Sequence, residues 1–304
     1  MKYENQINVI LNEAERNEES HSAEIHRRPE ASGLFRMTVR SKTGDGLMKL
    51  IQSVIICGVL MLSTVAFAQT YPLVTIRDIQ EPTNLGVSDA SPLLGDTVRV
   101  WGIAATGPRE VWIAARFSFF LVDTVGGPWS GIQIVQEDSS LDATGVVLIQ
   151  PGDSIMVTGV VVEFFTSTEL IIIENPVIPI EFGLNVTFPR DPFPQNPTVL
   201  DMSVLQDTST GERYETVLVK LENVVVINQD VGGGEGLIES SDGLFQVSLE
   251  DFNKDIHDCM QDNSCSWPPN GTRMNVIGYV RDKPAATPGA RYMIGPWSLD
   301  LPYI

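Results

Sequence analysis

The sequence predicts an all-β protein of two small five-stranded barrels in tandem, following an export signal. Three observations carry this expectation. One pattern recurs three times: a glycine, a strand with alternate apolar residues, and a second glycine seven residues on. The copies are Gly95–Gly102, Gly152–Gly159 and Gly271–Gly278. Each places an apolar pair on one face: Val98 and Val100, Ile155 and Val157, Met274 and Val276. The first glycine fits the end of a turn, and the second fits a strand that bulges or bends sharply, as strands of a small closed barrel must. Strand-like runs then form two groups of five, separated by short Gly/Pro/Asp/Ser segments. A proline-dense stretch divides the groups.

Residues 1–47 are polar and lack a clear apolar stripe. They read as a disordered or misassigned extension, with translation starting at Met48, or as a long cytoplasmic leader. Residues 48–68 read as a signal peptide: Lys49 is a short positive start, Leu50–Val65 an apolar stretch, and Ala66-Phe67-Ala68 a cleavage signature placing the mature start at Gln69. The apolar run is short for a membrane span. Ile56 stands before Cys57 where a lipoprotein signal needs a small residue.

The first barrel is expected over 69–174. It opens with an alternating segment, Gln69–Asp78, and a polar link, Gln80–Leu94. Strands follow at Thr97–Ala105, Phe117–Asp123, Gly131–Gln136, Ser154–Phe165 and Glu169–Glu174. Residues 175–206 hold Pro176, Pro179, Pro189, Pro192, Pro194 and Pro197, a density that reads as an extended linker, with a short helix at Thr198–Gln206. The second barrel, 207–304, repeats the order with Thr216–Ile227, Gly236–Ser240, Leu244–Leu249, Arg273–Arg281 and Arg291–Leu299. Gly232-Gly233-Gly234 reads as a hairpin loop; a phosphate cradle would need a helix behind it, and strand-like residues follow.

On Gly95–Ile103, Phe119–Asp123, Trp129–Ile134 and Gly152–Val161, and on Val217–Val226, Leu244–Asp251 and Gly271–Val280, the chain resembles the OB-fold. In particular it resembles the exported OB-like domains that accompany secreted bacterial nucleases and other surface proteins. Phe119-Phe-Leu-Val-Asp123 and Trp129-Ser-Gly-Ile132 look like strands two and three of that family. The resemblance implies a fold more than an activity, because one fold hosts many functions. In nuclease-bearing relatives the catalytic domain lies beyond the OB-like part, whereas this sequence stops at Ile304, directly after the last expected strand. The resemblance places the ligand surface on strands two and three. The candidate binding residues are therefore Trp101, Trp112, Phe119 and Trp129, with Phe120 beside them. Trp101 points away from Val98 and Val100. Aromatics there stack on bases or sugars, or belong to the core. Arg273, Arg281 and Arg291 are the candidate group for an anionic ligand.

The formal net charge is −19, and since residues 1–68 carry eight basic and eight acidic side chains, all of it falls on 69–304. Such a surface disfavours nucleic acid, whose binding rests on Lys and Arg displacing counterions. After residue 26 the only histidine is His257, in a polar segment without a nucleophile elbow, so it reads as solvent-facing and no catalytic residue is assigned. Cys259 and Cys265 read as a disulfide in an oxidising compartment. Asp251, Asn253, Asp255 and Asp262 have partial calcium-loop spacing, but Ile256 stands at the glycine position and Asp262 at the glutamate. Calcium is the one cofactor left open, against a plain solvated loop. The expectation is an exported, periplasmic or extracellular binding or adaptor protein for a protein or carbohydrate partner. The alternatives are a nucleic-acid-binding accessory of a secreted nuclease or phosphoesterase, or the front part of a longer enzyme.

Overall fold

The structure is a computed structural model that describes residues 71–138, 144–173, 180–187, 196–282 and 291–297. The expected leader and signal peptide (1–68), and residues 174–179 and 188–195 of the proline-dense stretch, lie outside these residues.

The fold is mostly strands. The first sheet holds β1 (Leu73–Val74), β2 (Thr97–Ala104), β3 (Phe117–Val122), β4 (Gly131–Gln136), β5 (Asp153–Phe164), β6 (Ser167–Ile172) and β7 (Ile180–Thr187). Its order is β1-β2-β3-β4-β6-β5-β7, and the additional β2–β5 pairing closes β2 to β6 into a five-stranded barrel. Within the barrel β4 and β6 run parallel and the other neighbours antiparallel. The second sheet holds β8 (Thr198–Leu200), β9 (Leu218–Gly232), β10 (Glu235–Glu239), β11 (Gln246–Leu249), β12 (Arg273–Asp282) and β13 (Tyr292–Pro296). Its order is β10-β11-β13-β12-β9-β8 with β9–β10 also paired, and again one pair, β11 with β13, is parallel within the ring.

The glycine repeat has a clear physical role. Gly95, Gly152 and Gly271 have φ of 85°, 90° and 88°, the left-handed turn conformation that side chains disfavour. The second glycine of each copy sits where its strand takes up another neighbour. Gly102 lies where β2, paired with β5, meets β3; Gly159 where β5 meets β6; Gly278 where β12 meets β13. A methyl on Gly102 would stand 2.7 Å from Leu121 Cγ and 2.8 Å from the Val122 carbonyl oxygen, and one on Gly159 2.6 Å from that of Ile171. The absent side chain lets the barrel close.

Three expected elements differ. The alternation in Gln69–Asp78 ends early, because Thr75 and Asp78 form a reciprocal capping box that starts helix α1 (Ile76–Gln80). Ile76 and Ile79 then face the barrel core. The stretch 175–206 contributes strands: β7 pairs antiparallel with β5, and β8 parallel with β9. Its prolines flank Ile180–Thr187 and leave that window free to donate to a ladder. Met202–Gln206 is a 3-10 turn, followed by the single turn α2 (Thr208–Gly211). The loop expected around Asp255 is helix α3 (Lys254–Gln261), started by Asn253, whose Oδ1 accepts from the Asp255 and Ile256 amides.

The chain from Gln69 onwards forms one compact unit. One apolar cluster fills the first barrel, around Phe119, Ile134 and Leu170, and one the second sheet, around Val247, Val276 and Tyr292. A third joins them: Ile103, Val111, Phe120, Val122 and Val135 meet Leu218, Phe252 and Tyr279. Every residue of β3 and β4 is therefore buried, one alternating set against the barrel core and the other against the second sheet.

Candidate binding surfaces

The face of β3 and β4, where the resemblance places a ligand, is a seam within the chain. The Phe120 ring lies 4.4 Å from that of Tyr279 and 5.9 Å from that of Phe252. Backbone groups stitch its edges: the Trp112 amide donates to the Phe252 carbonyl (2.8 Å), the Lys254 amide to Glu110 (2.8 Å) and the Trp129 amide to Arg213 (2.7 Å). Phe119 points the other way and is fully buried in the barrel core, so it is no surface residue. Trp129 is also buried, at φ 65°, in the turn between the two strands.

Trp101 and Trp112 stay at the surface, 40% and 36% exposed. Trp101 points outwards on β2 as its phase requires, and its Nε1 donates to Ser154 Oγ at 3.0 Å. Trp112 stacks on His257, ring centroids 3.9 Å apart. His257 is thus not solvent-facing: α3 turns it under Trp112 and towards Asp251, with Nδ1 2.9 Å from Oδ2. Arg273 is exposed, 3.4 Å from Asn223 Oδ1. The other two arginines have internal partners. Arg281 lies 3.4 Å above the Phe252 ring and 3.5 Å from Glu250, and Arg291 clasps Asp282 and Asp89.

The four candidate calcium ligands do not converge. Asp251 is committed to His257, Asn253 caps the start of α3, Asp255 lies in its first turn, and Asp262 at its end accepts from the Ser264 amide (2.8 Å). A 12-residue loop would curl these oxygens around one point; a helix spreads them along its axis. The disulfide Cys259–Cys265 is present, with Cα atoms 5.4 Å apart, and ties the helix to the turn that follows it.

Sequence reasoning missed a set of buried carboxyls at the seam. Glu169 on β6 points away from the barrel core, and burial pushes it up to about 7 against the pull of Arg281 and Arg116. Burial pushes Glu212 to about 8 and Glu215 well above the ordinary carboxylate range, each repelled further by neighbouring acids. The available signal was Glu169 in phase with Ile171, on the strand face opposite Leu170.

One cleft opens beside the seam. It measures about 530 Å³ and lies at the β3–β4 turn, between Asp123, Val125, Gly126 and Trp129 on one side and Arg77, Glu81 and Arg213 on the other. Val125 stands at its rim, 89% exposed. Among the described residues no helix is long and apolar enough to cross a membrane.

No protein-family model matches the chain, and no curated protein matches it by sequence. Solved structures give weak matches. An aspartyl-tRNA synthetase from Leishmania major Friedlin is 10% identical, covers 47% of this chain and has a TM-score of 0.29. The match spans only 28% of the synthetase. An OBody bound to hen egg-white lysozyme is 18% identical over 34% of this chain and 96% of its own, at a TM-score of 0.26. The single-stranded DNA binding protein from Thermus aquaticus is 9% identical over 66% and 89%, at 0.20. At such scores the architecture is read from the strand pairing itself.

Proposed function

We propose that this chain is an exported, non-enzymatic binding or adaptor protein. Two OB-like units, docked face to face, present the cleft at the strand-two/three turn to a protein or glycan partner. The observation that carries the proposal is that cleft, whose size falls among ligand pockets. Its lining combines the largely buried Trp129 with the Arg77–Glu81 ion pair (2.7 Å), Arg213 and Asp123, a mixture that engages hydroxyls and peptide groups together. The repeated pairing order of the two sheets supports tandem OB-like units, and the disulfide fits an oxidising compartment. The non-enzymatic part draws its support from side-chain chemistry: the sole histidine after residue 26 is engaged by Trp112 and Asp251. The nucleic-acid alternative draws less support, because Arg281 and Arg291 neutralise the chain's own acids and the net charge is −19.

The test is a glycan array followed by titration of the full chain, with Val125→Asp and Arg213→Ala as variants. A ligand whose affinity falls tenfold or more in both supports the cleft; no ligand, or one indifferent to both changes, counts against it. Single-stranded DNA at low and physiological salt is the contrasting arm. Tight binding that weakens steeply with salt would favour the nucleic-acid reading.

A further inference from the structure

The seam brings acids together from four parts of the chain. Asp89 comes from the link before β2, Glu163 from β5, Glu212 and Glu215 from the turns before β9, and Asp282 from the end of β12. Asp89, Glu212 and Asp282 each offer a carboxylate oxygen within 4.8 Å of the others. Among the described residues, Arg291 is the cation between them. Its Nε donates to Asp282 Oδ1 at 2.8 Å, and its Nη2 reaches Asp282 Oδ2 and Asp89 Oδ2.

An independent observation shows that this arginine does not complete the group. Glu212 is 1% exposed; its Oε2 accepts from the Tyr292 hydroxyl at 2.6 Å, yet its Oε1 is buried without a partner. Glu215, 2% exposed, repeats the arrangement: Oε1 accepts from the Thr168 amide at 2.9 Å and Oε2 has no partner. A buried, unpaired carboxylate oxygen is expensive and calls for an ion, a water or a proton. A proton on Glu212 Oε1 would need an acceptor of its own, and that atom makes no hydrogen bond to Asp89 or Asp282. Charge gives the complementary argument. With the Glu212 proton displaced by the ion, three carboxylates around one guanidinium carry two negative charges, the amount one divalent cation balances.

We propose that Asp89, Glu212 and Asp282 form a divalent-cation site at the seam between the two sheets, of the oxygen-only kind that suits calcium. The ligands are all hard oxygens from separate segments, which tolerate the variable geometry of calcium better than the strict octahedron of magnesium. Asp89, whose side chain is 27% exposed, provides the approach from solvent. Since the ligands come from both sides of the seam, a bound ion would stitch the two halves together.

The full chain, stripped with a chelator, is titrated with calcium alone by calorimetry and followed by thermal melting at neutral pH. The expected result is saturable one-to-one binding, with Tm raised by roughly 5–10 °C at a hundredfold excess over Kd. Glu212→Gln keeps an acceptor for Tyr292 and should weaken binding at least tenfold. Asp89→Asn, at a partly exposed position, serves should the first variant not fold. Asp255→Asn, in α3, should bind as the unmodified chain does. No calcium-dependent shift, an equal shift with magnesium, or binding lost in Asp255→Asn and kept in both site variants would overturn the assignment.

Discussion

Replacing Phe120 by alanine distinguishes a docked face from an open one. On a free barrel with its strand-two/three face in solvent, removing this ring would change stability by no more than about 0.5 kcal/mol. Here Phe120 is 2% exposed and packed against Tyr279 and Phe252 of the second sheet. The substitution deletes a phenyl group from a cluster that cannot close without moving one sheet against the other. A loss of about 3–5 kcal/mol is expected, with Tm lowered on the order of 10 °C for a unit of this size. Urea unfolding followed by tryptophan fluorescence and by circular dichroism measures it, with Phe119→Ala as the reference for the barrel core. Both variants should lose stability to a similar extent, in one cooperative transition. If Phe119→Ala costs several kcal/mol while Phe120→Ala is neutral, the face is open and the docking argument fails.

Two further predictions address the same seam. Burial raises Glu169 from its ordinary 4.5 to about 7, with Arg281 and Arg116 pulling down and Glu137 and Glu163 pushing up. The folded state therefore holds this proton longer than the unfolded one, so the contribution to stability is complete below pH 4.5 and is lost as pH rises to about 7. Urea midpoints at pH 4.5 and 7.5 should show the unmodified chain losing on the order of 3 kcal/mol relative to Glu169→Gln, and parallel curves would refute the burial argument. Gly131→Ala would push a methyl into the Thr216 backbone, where no flexible side chain can yield. A cost of about 1–3 kcal/mol is expected from the same denaturation series, and a neutral outcome would show that β4 and Thr216 are not in contact.

The strands were legible because their signals are local. Alternation, left-handed turn glycines and the glycine at each change of neighbour are properties of ten residues or fewer, so the ten expected strands reappear among the described residues, the largest shift being the strand expected to end at Ile227, which runs on to Gly232. The Cys259–Cys265 bridge was legible for the same reason, since six residues of separation within one short segment leave little choice of partner. The calcium loop failed on local grounds too: Asn253 is a better helix cap than a ligand, and only the cap was consistent with Ile256 being buried. What the sequence alone determined, then, is the pattern of strands, turns and the close cysteine pair. Only the tertiary structure decided which face of each strand meets which partner. Phe117-Ser-Phe-Phe-Leu-Val122 is apolar in both phases, a mark of burial on two sides, but nothing local says that the second side is Tyr279 and Phe252 rather than a ligand. The buried carboxyls follow the same logic. Asp89, Glu212 and Asp282 are far apart in sequence, and their chemistry arises from the low dielectric and mutual repulsion that docking the two sheets creates.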